Sequence, residues 1–353
     1  MRHGPLVWEN WKAEERGEPS REAWEFAFYT DAHPIGEVTT GLGPYQLLLG
    51  LTGGKDDASD PAIVLRMENH LQPTEPTLVW QPTAVHREVA ALVSLALGIR
   101  CRSGGETRWF RPTEDPRGRP ALFGHRRPQL SEVPEHEGRI LPNVVRQAPL
   151  TEAVELISIL PSLHVKQAEA VVRAARAYEE AVWVAEGDPA YAWLKFVSAA
   201  EAAASAWRGG AAPAGELLAQ YEPELAEHLR AAGGGALVTE VAALLGGRYR
   251  AAKKFVRFLL TFGPPPPEVR PPEPFQLEWP LLGSHPKAIY GVRSDSLHHA
   301  APVPQPMLNV PLQLASGPIE VWPSPGGTRW VMLHTFERIT GVALRSWWRS
   351  LAT

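Results

Sequence analysis

The sequence changes its periodicity near residue 150. Up to about residue 82, short apolar runs alternate with Gly, Pro and Asp residues, a pattern typical of strands joined by turns. Beyond residue 150, apolar residues recur at the three- and four-residue spacing of amphipathic helices. The sequence therefore predicts an α+β protein, with a strand-rich domain over residues 1–150 and an all-α helical domain over residues 151–353.

Four apolar runs of the first region, WEFAFY, YQLLLGL, AIVLRME and TLVWQ, predict an antiparallel sheet. The following segment, TAVHREVAALVSLALGI, carries Val and Leu close to helical spacing and predicts a helix that begins at Thr83. We expect this helix to pack on the sheet.

Two long helices with a short loop between them are predicted at the start of the second region. The first, LHVKQAEAVVRAARAYEEAVWVAEG, ends at Gly187, and the second begins with Asp188 as N-cap and Pro189 at the first helical position. A loop this short predicts an antiparallel helical hairpin. Three further helices are predicted in GELLAQYEPELAEHLRAA, ALVTEVAALLGG and RYRAAKKFVRFLLTF.

A run of four prolines at 264–267 interrupts the helical pattern and predicts a stiff extended arm. After it, SHPKAIYGVRSDSLHHAAP predicts a short helix that begins near Ser284 and ends before Pro302. The chain closes with a predicted strand in GPIEVWP and a predicted long helix in VMLHTFERITGVALRSWWRSLAT.

Whole-chain properties narrow the class of protein. Cys101 is the only cysteine among 353 residues, which excludes an intramolecular disulfide and a cysteine-rich zinc site. No apolar run approaches the roughly 20 residues needed to span a bilayer. LTGGKDD lacks the spacing of a phosphate-binding P-loop, and no Gly-x-Ser-x-Gly occurs. We predict a cytoplasmic protein that acts without a membrane, a metal or a cofactor.

A formal net charge of -4 gives no overall attraction to nucleic acid, so any RNA site must be a local patch. The stretch from Arg100 to Arg127 has eight arginines against three acidic residues, a local charge of +5, with aromatic residues interleaved. Such a mixture holds phosphates and stacks on bases. The alternative is a solvated surface whose arginines lie on the neighbouring acids Glu106, Glu114 and Asp115. The residues predicted to bind RNA are Arg117, Arg119, Arg126 and Arg127 here, and Lys253 and Lys254 in the later basic helix.

An Arg-x4-His spacing occurs twice, at Arg293–His298 and at Arg329–His334, and chance predicts about one such pair. Around Arg329 the neighbours are apolar and strand-like, which favours a structural role. Around Arg293 the next residues, Ser294, Asp295 and Ser296, are all able to form hydrogen bonds. Context therefore favours the first pair as a candidate active site.

YGVRSDSLHHAAPVPQPM resembles the Tyr-x-x-Arg-Ser-x-x-Leu-His-x-Gly signature of HEPN domains, closest to the Apea-like branch found in prokaryotic defence systems. AYAWLKFVSAAEAAA, AAKKFVRFLL and LHTFERITGVALRSWW are similar to other helices of that branch, in the same order. His299 departs from the family's usual small residue, which predicts either an altered register or a second imidazole for RNA. The resemblance implies an all-helical domain that dimerises and cleaves RNA without metal, with the Arg and His of both protomers at one composite site.

The residues fit that chemistry. Side chains five apart on one helix are separated by about 140° and 7.5 Å, so one helix converges poorly on a phosphate, whereas two facing helices of a homodimer converge well. His298 is the predicted acid and base, with Arg293 holding the phosphate. Ser294 and Asp295 are predicted to orient this pair, and Glu201 to bind Arg293 from a neighbouring helix.

Two roles remain open for the helical domain. One is a metal-independent endoribonuclease of phage defence or toxin-like growth arrest, in which residues 1–150 act as a sensor or RNA-recruiting domain, together with a possible defence-system partner protein. The other is a catalytically silent HEPN-like module that binds RNA or a protein partner. The acidic net charge mildly favours the second role, and the basic stretch mildly favours the first.

Overall fold

The computed structural model describes residues 4–53, 59–71, 82–115, 138–207, 214–279, 289, 291–293, 296, 301–324 and 329–352. Within these residues, the main sheet lies before residue 150 and the long helices lie after it. The predicted α+β class is therefore confirmed. A domain boundary at residue 150 and the assignment of the helices to a HEPN bundle both stay predictions.

Four strands form an antiparallel sheet in the order β3-β4-β1-β5. The strands of the first region are β1 (Glu22–Tyr29), β2 (His33–Ile35), β3 (Tyr45–Gly53), β4 (Ser59–Asn69), β5 (Arg102–Phe110) and β6 (Gln147–Pro149). Three of the predicted runs are β1, β3 and β4, so the antiparallel sheet is confirmed there, while TLVWQ lies outside the described residues. β5 was not predicted as a strand, because its Arg, Gly and Glu residues hide the alternation.

Two helices cover one face of the sheet. The helix predicted from Thr83 is confirmed as α2 (Pro82–Leu97), and its His86 ring stacks 4.1 Å from Phe26 of β1. The other helix, α1 (Leu6–Glu15), was not predicted. Asn10 holds it in place by donating to the Tyr45 hydroxyl and the Glu68 carbonyl. The Tyr45 hydroxyl in turn donates to the Val7 carbonyl, so tertiary hydrogen bonds stabilise a segment whose own apolar pattern is weak.

Helices make up most of the second region. They are α3 (Glu152–Ile157), α4 (Val165–Val184), α5 (Pro189–Ala206), α6 (Ala214–Tyr221), α7 (Pro223–Phe262) and α8 (Leu333–Ser350). The predicted hairpin is confirmed as α4 and α5, with the Asp188 side chain accepting from the Tyr191 N–H at 2.9 Å. α5 packs against α4, α7 and α8, and its Trp193 ring lies 4.5 Å from Phe336 of α8.

α7 differs from the prediction at its start and at its glycines. The single helix predicted in GELLAQYEPELAEHLRAA is instead two, since α6 ends at Tyr221 and α7 begins at Pro223. α7 is interrupted at Gly233 and Gly234, as the gap between two predicted helices indicated, and Gly234 has φ 67°. The predicted break at Gly246 and Gly247 is wrong, because the helix continues through both. A glycine costs a helix only about 1 kcal/mol, so two glycines alone do not have to end one.

The remaining elements are short. β2 pairs in parallel with β6. After the prolines come β7 (Gln313–Leu314), β8 (Gly317–Pro318), β9 (Val321–Pro323) and β10 (Arg329–Val331). The single strand predicted in GPIEVWP is instead divided into β8 and β9, which pair with β7 and β10 in separate sheets. Residues 289, 291–293 and 296 have helical backbone, in agreement with the short helix predicted there.

One hydrophobic core joins the regions on either side of residue 150. It contains Phe26 and Leu65 of the sheet together with Trp193 of α5 and Trp348 of α8. α2 makes the connection, since it packs on the sheet and also against α4. Across the described ranges, no helix is both long and apolar enough to cross a membrane.

Candidate functional site

Arg293 and Glu201 meet as the sequence predicted. Arg293 lies on the short helical segment after the prolines, and its Nη2 is 3.0 Å from Oε2 of Glu201 on α5. The two side chains are 23% and 22% exposed, so the pair lies at the surface rather than in the core. Buried Ile289, one turn earlier, anchors the segment in the main hydrophobic core. The catalytic role of Arg293 stays a prediction.

The other residues of the predicted active site cannot be placed relative to this pair. His298, Ser294, Asp295 and His299 lie outside the described residues, as do Arg117, Arg119, Arg126 and Arg127 of the predicted RNA patch. Their convergence on one phosphate and their roles in RNA binding stay predictions.

A groove of about 340 Å³ adjoins the Arg293–Glu201 pair. Three helices line it, with Arg173 from α4, Lys254 from α7, and Glu201 from α5. Its α5 wall also contains Ser198, Ala202, Ala204 and Ser205. These small side chains leave the space between the helices open, and its volume falls in the range of ligand sites.

The groove has more positive than negative side chains. Glu201 is its carboxylate, and Arg293 already engages it. Arg173 is exposed and Lys254 is half-buried. Considering the described residues alone, neither has an ion-pair partner. Lys254 was predicted to contact RNA. Arg173 was not predicted, because the sequence does not show which polar residue of a helix borders a groove between helices.

A second cavity, of about 430 Å³, shares Arg173 with the groove. Its buried carboxylate, Glu88, accepts from the Val7 N–H at 2.9 Å and thereby caps α1. Burial raises the pKa of Glu88, and the nearby Arg176 opposes that rise. Glu88 therefore has a structural explanation, and the candidate site extends only as far as Arg173.

The second Arg-x4-His pair is structural in character. Arg329 forms an ion pair with Glu278, and His334 is 4% exposed at the start of α8. Burial lowers the pKa of His334 to about 4, so its imidazole is neutral near pH 7. An inaccessible neutral imidazole is unsuited to proton transfer with RNA, which favours the structural role predicted from its apolar neighbours.

The described arginines of the Arg100–Arg127 stretch mostly pair with distant carboxylates. Arg100, 1% exposed, donates to Asp31 at 2.7 Å and to Glu186 at 2.5 Å. Arg102 binds Glu179 at 2.6 Å. These arginines stabilise the junction between the sheet and α4.

The alternative interpretation of this stretch was that its arginines pair with neighbouring acids. Arg111 does so, since its Nη1 lies 3.5 Å from Glu114. Arg108 instead binds the fully buried Glu25 of β1. Asp115 contacts Arg66 of β4, outside the stretch, at 3.3 Å. The described arginines of the stretch are therefore neutralised largely by acids that the sequence pattern did not identify.

No protein-family model, curated protein or solved structure matches this chain. Among the described residues, no group of three or more His, Cys, Asp or Glu side chains is placed to hold a metal ion. The candidate site therefore rests on its own geometry, on an Arg–Glu pair beside a cationic groove between three helices.

Proposed function

We propose that this protein is a metal-independent endoribonuclease of the HEPN type. The observation that carries the proposal is the Arg293–Glu201 pair at the rim of the groove that contains Arg173 and Lys254. A permanently charged, planar guanidinium held in place by a carboxylate is suited to bind a phosphate in a fixed orientation. The basic surroundings favour a polyanionic substrate.

The reaction divides between Arg293 and two copies of His298. The neutral His298 of one protomer takes the proton from a ribose 2′-OH, and the 2′ oxygen attacks the adjacent phosphorus. The bond to the 5′ oxygen breaks, and the partner subunit's protonated His298 supplies the proton to that oxygen. Arg293 stabilises the negative charge that builds on the phosphate oxygens. The products are a 2′,3′-cyclic phosphate end and a 5′-OH end.

A homodimer is part of the proposal. The five-residue spacing separates Arg293 and His298 by about 140° around one helix, and a two-fold axis brings a second copy opposite the first. The interface contains the helix over residues 286–299. Residues 1–150 recruit RNA or sense a trigger, and the biological role is phage defence or toxin-like growth arrest, with a defence-system partner protein.

A catalytically silent binding module is the second candidate, and one observation favours it. Glu201 neutralises Arg293 at 3.0 Å, as a carboxylate does in a purely structural ion pair. In that case the groove binds RNA or a protein partner and no bond is cleaved.

The deciding experiment incubates the purified protein with total RNA in EDTA. We expect cleavage to 2′,3′-cyclic phosphate and 5′-OH ends, and losses of about 10²–10³-fold for Arg293→Ala and 10²–10⁴-fold for His298→Ala. Arg329→Ala, from the structural Arg-x4-His pair, is the matched control and should keep full activity. Light scattering of each variant should report a dimer.

Three results would contradict the proposal. They are loss of cleavage in EDTA, unchanged cleavage by both variants of the Arg293–His298 pair, and an active monomer at micromolar concentration. Binding of RNA without cleavage by the wild type would support the silent module.

A further inference from the structure

We propose that the groove between α4, α5 and α7 is a second phosphate subsite, in which Arg173 and Lys254 bind a backbone phosphate next to the one held by Arg293. This inference rests on the proposed function, because it takes single-stranded RNA as the ligand. It goes further by assigning a direction in which the strand leaves the active site, from the short helical segment across α5 toward α4.

Position supports the subsite. Glu201 lines the groove and also binds Arg293, so the groove and the predicted catalytic arginine share one wall. Arg173 lies on α4, and Lys254 lies on α7, so the two cations come from different helices. A strand that leaves Arg293 along this wall passes between them.

Charge and shape support it as well. Glu201 pairs with Arg293, and among the residues of the described ranges neither Arg173 nor Lys254 has an ion-pair partner. The wall consists of small side chains, Ser198, Ala202 and Ser205, which let a sugar–phosphate backbone come close to α5. The Ser205 side chain is exposed and offers a hydroxyl donor.

A larger cavity elsewhere serves as a contrast. A space of about 590 Å³ between α2, α3 and α8 is lined by four arginines, but also by three glutamates. There Arg349 binds Glu155 at 2.5 Å and Arg146 lies 3.6 Å from Glu152. Two of its four arginines thus form ion pairs with glutamates of the same cavity, whereas neither cation that lines the groove has an ion-pair partner among the described residues.

The test measures binding rather than cleavage. A fluorescent, 2′-O-methylated single-stranded RNA cannot be cut by 2′-OH attack, and its anisotropy reports affinity as salt is varied. Full-length wild type is compared with Arg173→Gln, Lys254→Gln and the double variant. Arg230→Gln is the matched control, because it removes one exposed cation from α7 at a point beyond the interruption at Gly233 and Gly234.

We expect the double variant to reduce the slope of log affinity against log salt by about 1.4, since each phosphate contact with a single strand contributes about 0.7. At 0.1 M salt this corresponds to a loss of about 25-fold relative to wild type. Each single variant should lose about half of the slope change, and Arg230→Gln should leave slope and affinity unchanged. Arg173→Lys and Lys254→Arg should restore most of the binding, which a folding defect would not allow.

The inference is overturned if the double variant binds like wild type, or if Arg230→Gln weakens binding as much as the groove variants do. If wild type cleaves RNA and the groove variants bind RNA as tightly as wild type, the subsite is contradicted and the nuclease proposal is supported. If the groove variants bind RNA more weakly and wild type does not cleave it, the subsite is supported and the nuclease proposal is contradicted.

Discussion

Cationic side chains lie in two contrasting surroundings in the described part of the chain, beside Glu25 on the sheet and around the groove between α4, α5 and α7. On the sheet, Arg66 and Arg108 both bind Glu25, which is fully buried, and Arg66 also contacts Asp115. In the groove, Glu201 is the one carboxylate among the described lining residues, and it pairs with Arg293 rather than with Arg173 or Lys254.

The difference lies in burial as well as in charge. Glu25 is held at β1 by two guanidinium groups, and β4 and β5 flank β1 on either side, so this cluster ties three strands together. The Arg293–Glu201 pair is about one-fifth exposed and borders open space. An arginine-rich sequence is thus compatible with either role, and the location of the acids separates a structural arginine from one able to bind phosphate.

The largest expected effect tests this contrast with one substitution at two sites. Glu25→Gln should lower the free energy of unfolding by about 3–5 kcal/mol, because two half-buried guanidinium groups lose their counter-charge. Glu201→Gln should cost no more than about 1 kcal/mol, since its ion pair is partly exposed to solvent. Urea unfolding followed by circular dichroism measures both. Equal costs at the two sites would show that the Arg293 pair is also a structural one.

The next effect concerns the half of the basic stretch that lies outside the described residues. Reversing the charge of Arg117, Arg119, Arg126 and Arg127 should weaken RNA binding by about 600-fold at 0.1 M salt, through loss of four phosphate contacts. Anisotropy measures the affinity, and light scattering should still report a dimer that cleaves a short oligonucleotide at high concentration. Misfolding of this variant would indicate arginines paired as Arg100 is, and unchanged binding would indicate an ordinary solvated surface.

The smallest effect tests the structural Arg-x4-His pair by pH. Burial lowers the pKa of folded His334 to about 4, whereas an unfolded histidine titrates near 6.5, so between these values the unfolded state binds the extra proton. Stability from this group is fully present above pH 6.5 and is lost as the pH falls toward 4. Between pH 6.5 and 4.5, the free energy of unfolding of His334→Gln should therefore fall by about 2 kcal/mol less than that of wild type. Identical pH profiles would place His334 in contact with solvent.

Local sequence patterns predicted the helices and strands that do not need contacts with distant residues to be recognised. The α4–α5 hairpin follows from the Asp188 N-cap, Pro189 and helical periodicity, and β1, β3 and β4 follow from apolar runs bounded by turn residues. α1 and β5 were not predicted, because contacts made by Asn10 and Glu25 with residues far along the chain stabilise them.

Part of the candidate site could also be predicted. The Arg293–Glu201 contact was expected from the resemblance and is present at 3.0 Å. Arg173 was not expected. It lines the groove only because α4, α5 and α7 pack together and because the side chains of α5 at the groove are small.

The sequence by itself determined the α+β composition, the elements with strong local patterns such as β1, β3, β4 and the α4–α5 hairpin, and the position of its basic residues along the chain. Only the tertiary structure decided which of those basic residues are neutralised. Arg108 and Glu25 are 83 residues apart, and Arg100 and Glu186 are 86 apart, so no local pattern could pair them. Ion pairs depend on distance in space and on burial, and both quantities exist only once the helices have packed on the sheet.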